Sequence, residues 1–135
     1  MLLTKASEYA VLSLIAISKE DAPQDVESLS KKLEISKSFL AKILQSLAKE
    51  GILNSYKGAK GGFALQKKPE DISLFEIIEA SEGRYPKVFM CSTEDGDCPK
   101  GKEASYICKL QPILNSLQGK IDGFLHHIKL SDMVD

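Results

Sequence analysis

The 135-residue sequence predicts a mainly α fold: a winged helix-turn-helix with a small β-ribbon wing and a long C-terminal dimerisation helix. Three observations predict it. Residues 35–65, ISKSFLAKILQSLAKEGILNSYKGAKGGFAL, run from an amphipathic helix through a glycine stop into two short strands around a Lys- and Gly-rich turn. Two further helical patterns precede that stretch, separated by polar connections. After it, Leu110, Ile113, Leu114, Leu117, Ile121, Phe124, Leu125 and Ile128 repeat at helical spacing toward the C-terminus.

In chain order, residues 4–19 form the first helix, with Thr4 as N-cap and Glu8 in the opening turns, where the helix dipole favours a carboxylate. Ala10 to Ile17 is apolar nearly all round, so this helix is deeply buried or shared between subunits. A polar connection containing Pro23 leads to Asp25, which caps a second helix whose inward positions are Val26, Leu29 and Leu33. Glu34-Ile35-Ser36 turns into the third helix, capped by Ser36. Its Leu40, Ile43, Leu44 and Leu47 fall at i, i+3, i+4 and i+7, one apolar face toward a core. The opposite face carries Ser38, Ala41, Lys42, Gln45 and Lys49, and Gly51 supplies the left-handed residue that ends the helix.

The segment Lys57-Gly58-Ala59-Lys60-Gly61-Gly62-Phe63 is a turn between Tyr56 and the alternating Phe63 and Leu65. Further on, Ser73 and Glu76 have capping-box spacing, Ile72 and Ile77 can form a hydrophobic staple, and a fourth helix runs to Gly83. Residues 84–104 read as a long loop, and helical spacing returns from about Ile107, with Pro112 starting or kinking that helix. The expected organisation is a DNA-binding domain over 1–83, a cysteine-bearing sensor loop over 84–105, and a dimerisation helix and tail over 106–135.

Charge separates the halves. Residues 31–68 hold nine Lys against Glu34 and Glu50, a local +7 in a chain whose total is −1. Residues 1–68 sum to +4 (11 Lys, 7 acids) and residues 69–135 to −5 (7 basic, 12 acidic). A basic surface carrying a helix-turn-helix points to nucleic acid, and the polar helix face could donate to phosphates and base edges. A second copy of the chain is the expected partner of the tail helix, because two recognition helices then span half-sites one DNA turn apart. No Ser/His/Asp set, phosphate-cradling glycine loop or carboxylate pair stands out, so an enzyme is not expected, nor a small-molecule substrate. Neither a signal peptide nor an apolar run of about 18 residues is present, so no membrane association and a cytoplasmic location are expected.

All three cysteines, Cys91, Cys98 and Cys108, fall in or beside the long loop, spaced C-x6-C-x9-C. The intervening residues are polar and turn-rich, which disfavours core packing for Cys91 and Cys98. There is no C-x-x-C or C…H-x-H pattern. Spacing leaves three readings open: unrelated surface thiols, a redox switch, and a metal or iron–sulfur site.

The segments LTKASEYAVLSL, ISKSFLAKILQSLAKEGIL and KGAKGGFAL, followed by the three-cysteine loop, resemble the Rrf-two family of bacterial winged-helix transcriptional regulators, from Leu3 to about Leu125. That resemblance implies a homodimeric repressor of operator DNA, controlled by a [2Fe–2S] or [4Fe–4S] cluster. Cys91, Cys98 and Cys108 would be ligands, with Glu8 as the fourth. It implies DNA contacts from Ser36, Lys37, Ser38 and Lys42, beside Gln45 on the same polar face, and from Lys57, Gly58, Lys60, Gly61 and Gly62 in the wing. The cysteine spacing is longer than is usual for cluster-binding members, and Gln111 stands where one member has a histidine ligand. The alternative is a cluster-free regulator of the same fold, controlled by thiol oxidation or a partner protein.

Overall fold

The computed structural model describes residues 4–59, 61–83 and 104–134, with the backbone alone described for 104–111. The element order is α1 (Lys5–Ser18), α2 (Val26–Leu33), α3 (Lys37–Lys49), β1 (Leu53–Tyr56), β2 (Gly62–Leu65), α4 (Leu74–Glu82) and α5 (Ala104–His127). Short 3-10 turns lie at Pro69–Asp71 and Leu130–Met133. This is the mainly α, winged arrangement expected from the sequence.

Local chemistry starts each of the first four helices. The side chains of Thr4, Asp25, Ser36 and Ser73 accept from the backbone N–H groups of Ser7, Ser28, Phe39 and Glu76, satisfying donors that no helix carbonyl can reach. At Ser73 the hydroxyl half of the capping box is present, while the Glu76 carboxylate pairs with Lys67. The ends are equally local. Gly51, at φ 82°, follows α3 and donates to the Ala48 carbonyl, and Gly83, at φ 72°, closes α4.

The inner faces of α1, α2 and α3 meet in one core. Leu14, Leu29, Leu40, Leu44, Leu47, Ile52, Leu53, Ile72 and Ile77 are all essentially inaccessible to solvent. Burying each such side chain contributes about 2 kcal/mol, which outweighs the modest intrinsic helicity of these short segments. Ser13, buried within α1, donates to the Tyr9 carbonyl at 2.6 Å, so its hydroxyl is compatible with that core. The strands β1 and β2 are antiparallel, with Leu53 opposite Leu65 and Tyr56 opposite Gly62.

The tail helix differs in detail from its sequence pattern. It begins at Ala104, three residues before Ile107, and Pro112 lies inside it. Its apolar residues do not form one buried stripe. Leu125 is buried against Phe75 and Ile78 of α4, with Ile121 and Leu74 packed alongside, whereas Ile113 and Phe124 are each 65% exposed. The reason is angular: adjacent residues diverge by about 100° on a helix, so Phe124 and Leu125 cannot share a face. Beyond α5 the chain returns to the core. The Leu74 N–H donates to Ile128 O at 2.9 Å, the Leu130 N–H to Ile72 O at 2.8 Å, and Leu130 is fully buried. Among the described residues no helix is long and apolar enough to cross a membrane.

Candidate nucleic-acid interface

With Leu40, Ile43, Leu44 and Leu47 turned inward, helix geometry places Ser38, Lys42, Gln45 and Lys49 on one outward line at i, i+4, i+7 and i+11, and all four are exposed. Lys49 thereby joins the candidate contacts, and its spacing from Gln45 was already the signal. Ala41 is half-buried on the flank of the line. Ser36 and Lys37 are exposed at the N-terminal end of α3. The Ser36 oxygen is occupied as the helix cap, accepting from the Phe39 N–H at 3.3 Å, which leaves its O–H free to donate to a phosphate.

The α2–α3 turn sets the angle of this helix. Glu34 takes the left-handed conformation (φ 57°), the one such non-glycine among the described residues. Ser30 Oγ donates to the Ile35 carbonyl at 2.5 Å across the same turn. On α2, Lys31 and Lys32 are partly neutralised by surface pairs with Glu27 (3.7 Å) and Glu20 (3.4 Å). None of Lys37, Lys42, Lys49 or Lys57 figures in the ion pairs described, so the unneutralised charge lies toward the α3 line and the wing.

The wing is held by backbone. Beside the β1–β2 pair, Gln24 and Phe63 exchange main-chain hydrogen bonds of 2.9 and 2.8 Å, which tie the wing to the α1–α2 connection. That close approach explains Gly62: a Cβ there would lie 2.4 Å from the Gln24 carbonyl oxygen, and its φ is 144°. Gly61 has a separate reason, since its Cβ would fall 2.4 Å from the Tyr56 carbonyl oxygen. Gly58 takes φ 105° and accepts from the Gly61 N–H at 3.0 Å. Lys57 and Gly58 are exposed at the tip, and Tyr56 is exposed beside them. Lys60 lies outside the described residues. Gln24 had no sequence signal, because its role depends on a tertiary backbone pairing.

Glu8 lies in the first turn of α1, exposed, with Lys5 Nζ at 3.5 Å from its carboxylate. Cys91 and Cys98 lie outside the described residues, and Cys108 belongs to α5 with its side chain likewise outside the description. Among the described residues no group of three or more His, Cys, Asp or Glu converges in a way that could hold a metal ion.

The comparisons agree with this architecture. The Rrf2 family model, described as that of an iron-dependent transcriptional regulator, matches residues 3–135. The HTH-type transcriptional regulator IscR of Escherichia coli is 28% identical over 137 residues, covering 100% of this chain and 81% of that protein. Among solved structures, CymR, the global cysteine regulator of B. subtilis, superposes with a TM-score of 0.73 at 21% identity, over 97% of this chain and 94% of that one. T. potens IscR superposes with a TM-score of 0.68 at 20% identity, over 97% and 84% respectively. These relatives are regulators rather than enzymes. By sequence and fold together, the chain belongs to the Rrf2 family of transcriptional regulators.

Proposed function

We propose that this protein represses transcription by binding operator DNA as a homodimer, reading it with the α3 line and the wing. The observation that carries the reading is the exposed series Ser38, Lys42, Gln45 and Lys49 beside a wing tip bearing Lys57, in a segment whose local charge is +7. Lysines on such a face hold phosphates, while Ser38 and Gln45 are suited to base edges. The homodimer reading is supported by the exposed Ile113, Leu117 and Phe124 on α5, at i, i+4 and i+11. A groove of about 430 Å³ lined by Pro112, Ile113, Ser116, Leu117 and Lys120 adjoins that face. Apolar side chains left in water on a helix of this length are what a second copy would cover.

Control is assigned to an iron–sulfur cluster held by Cys91, Cys98 and Cys108, with Glu8 as the fourth ligand. The support is chemical: soft thiolates suit such a cluster, and a carboxylate is a harder, more replaceable ligand. The family model's iron-dependent description points the same way. When bound, the cluster supplies an iron centre open to oxidants and small diatomic ligands. In sequence Cys91 and Cys98 fall between α4 and α5 and Cys108 falls within α5, so ligation of all three would bear on the spacing of the two recognition helices.

The test is protein purified without oxygen. A brown protein with stoichiometric iron and sulfide, whose affinity for a selected operator changes when the cluster is removed, is expected. A colourless protein that stays colourless after reconstitution removes the cluster from the account and makes the cysteines redox thiols or bystanders.

A further inference from the structure

Phe39 occupies an unusual place. It lies in the first turn of α3, its N–H capped by Ser36, yet 38% of it is exposed to solvent. At about 100° per residue it sits roughly 60° around the helix from Lys42 and about 40° from the buried Ile43, on the boundary between the outward line and the core. The neighbouring candidate contacts all carry hydrogen-bonding atoms; Phe39 has none in its side chain. Its ring is held from behind by Tyr9 of α1, edge to face, with centroids 5.6 Å apart and planes at 82°. Lys5 Nζ lies 6.0 Å from the Tyr9 ring centroid and is largely exposed, so positive charge continues past the aromatic pair onto α1.

An exposed aromatic within a basic field suits a partner that is anionic outside and apolar at one point. Duplex DNA has that character. Its major groove offers one apolar group among polar base edges, the C5 methyl of thymine, and the N-terminal residues of a recognition helix are those that approach base edges.

We propose that Phe39 is a specificity-determining contact, its ring taking a thymine methyl in the major groove, with Tyr9 as the positioning residue that keeps the ring at the groove edge. The inference rests on the reading of α3 as the DNA-reading helix. It adds an apolar reader to a face otherwise built from hydrogen bonds and charge.

The experiment is a thymine-to-deoxyuridine scan of an operator fragment selected from random duplex DNA by the full-length protein. Deoxyuridine removes the methyl alone. Wild type should lose about fourfold in affinity at one thymine per half-site, the factor equivalent to ~0.8 kcal/mol for one methyl-sized group. Phe39→Ala should bind the thymine and deoxyuridine duplexes equally at that position. Phe39→Leu, which retains apolar bulk, should keep part of the ratio and shows that the helix is still docked. Tyr9→Leu should reduce the ratio while leaving the salt dependence of binding unchanged. A ratio that survives in Phe39→Ala, or a wild type indifferent to every methyl, overturns the inference and leaves DNA binding by α3 intact. A wild type that enriches no duplex at all overturns both.

Discussion

Gln24 and Phe63 are joined main chain to main chain, N–H to carbonyl in both directions, at 2.9 and 2.8 Å. Through this pair the connection after α1 acts as a third, one-residue strand on the wing, although 39 positions separate the two residues in sequence. The wing therefore has a fixed direction relative to α3, as a surface that straddles a groove and its phosphates requires. Gly62→Ala tests the clasp. A Cβ 2.4 Å from the Gln24 oxygen at φ 144° cannot be accommodated without moving one backbone, so a loss of about 2 kcal/mol in urea unfolding and weaker operator binding are expected. Unchanged stability would mean that the clasp does not position the wing.

Gly51 offers the contrasting case. Its φ of 82° demands the left-handed region, but a Cβ there would meet nothing within 4 Å. Gly51→Ala should cost about 1 kcal/mol of stability from backbone strain alone. Operator affinity of the folded protein, measured by fluorescence anisotropy, should stay at the wild-type value.

The cap of α2 carries a pH dependence. The Asp25 carboxyl is held below its ordinary value of 3.8, first by the hydrogen bond from the Ser28 hydroxyl, then by that from the Ser28 N–H, with Lys37 and Lys31 adding attraction. A depressed carboxyl stabilises the fold fully above its unfolded value, and the contribution disappears as pH falls through the folded value. The melting-temperature gap between wild type and Asp25→Asn should therefore be open at neutral pH and close at acid pH below 3.8. A gap that persists in acid would assign the cap's effect to something other than charge.

On α5, Ile113→Glu and Phe124→Glu place charge on side chains that are already exposed in one copy of the chain. The isolated fold should keep its helicity by circular dichroism. Sedimentation should show the proposed dimer dissociating at protein concentrations about tenfold higher or more, as expected if these side chains are central to its interface. Dimers of wild-type strength in both variants would move the interface elsewhere.

Much of this fold was legible because its instructions are local. The caps at Thr4, Asp25, Ser36 and Ser73 and the stop at Gly51 depend on neighbours within four residues, and the α3 face follows from the helical period. What the sequence could not show depends on distant partners. The Gln24–Phe63 clasp and the return of Leu130 beneath Ile72 are backbone pairings with no side-chain signature. The α5 pattern announced a helix but not its partner: Leu125 turns to α4 while Phe124, one residue earlier, faces water. At the candidate interface, Lys42 and Gln45 were readable from their spacing. The exposure of Phe39 was not, since a Phe in the first turn of an amphipathic helix is ordinarily a core residue.

On the proposed function, the α3 line and the wing meet the DNA backbone together. The most direct measurement is the slope of log affinity against log salt for one operator fragment, compared between wild type, Lys42→Gln, Lys57→Gln and the double variant. The expected result is a steep wild-type slope that falls by about one for each phosphate contact removed, with the two substitutions adding. Slopes identical to wild type in all three variants would contradict it, and would place the DNA on another face of the protein.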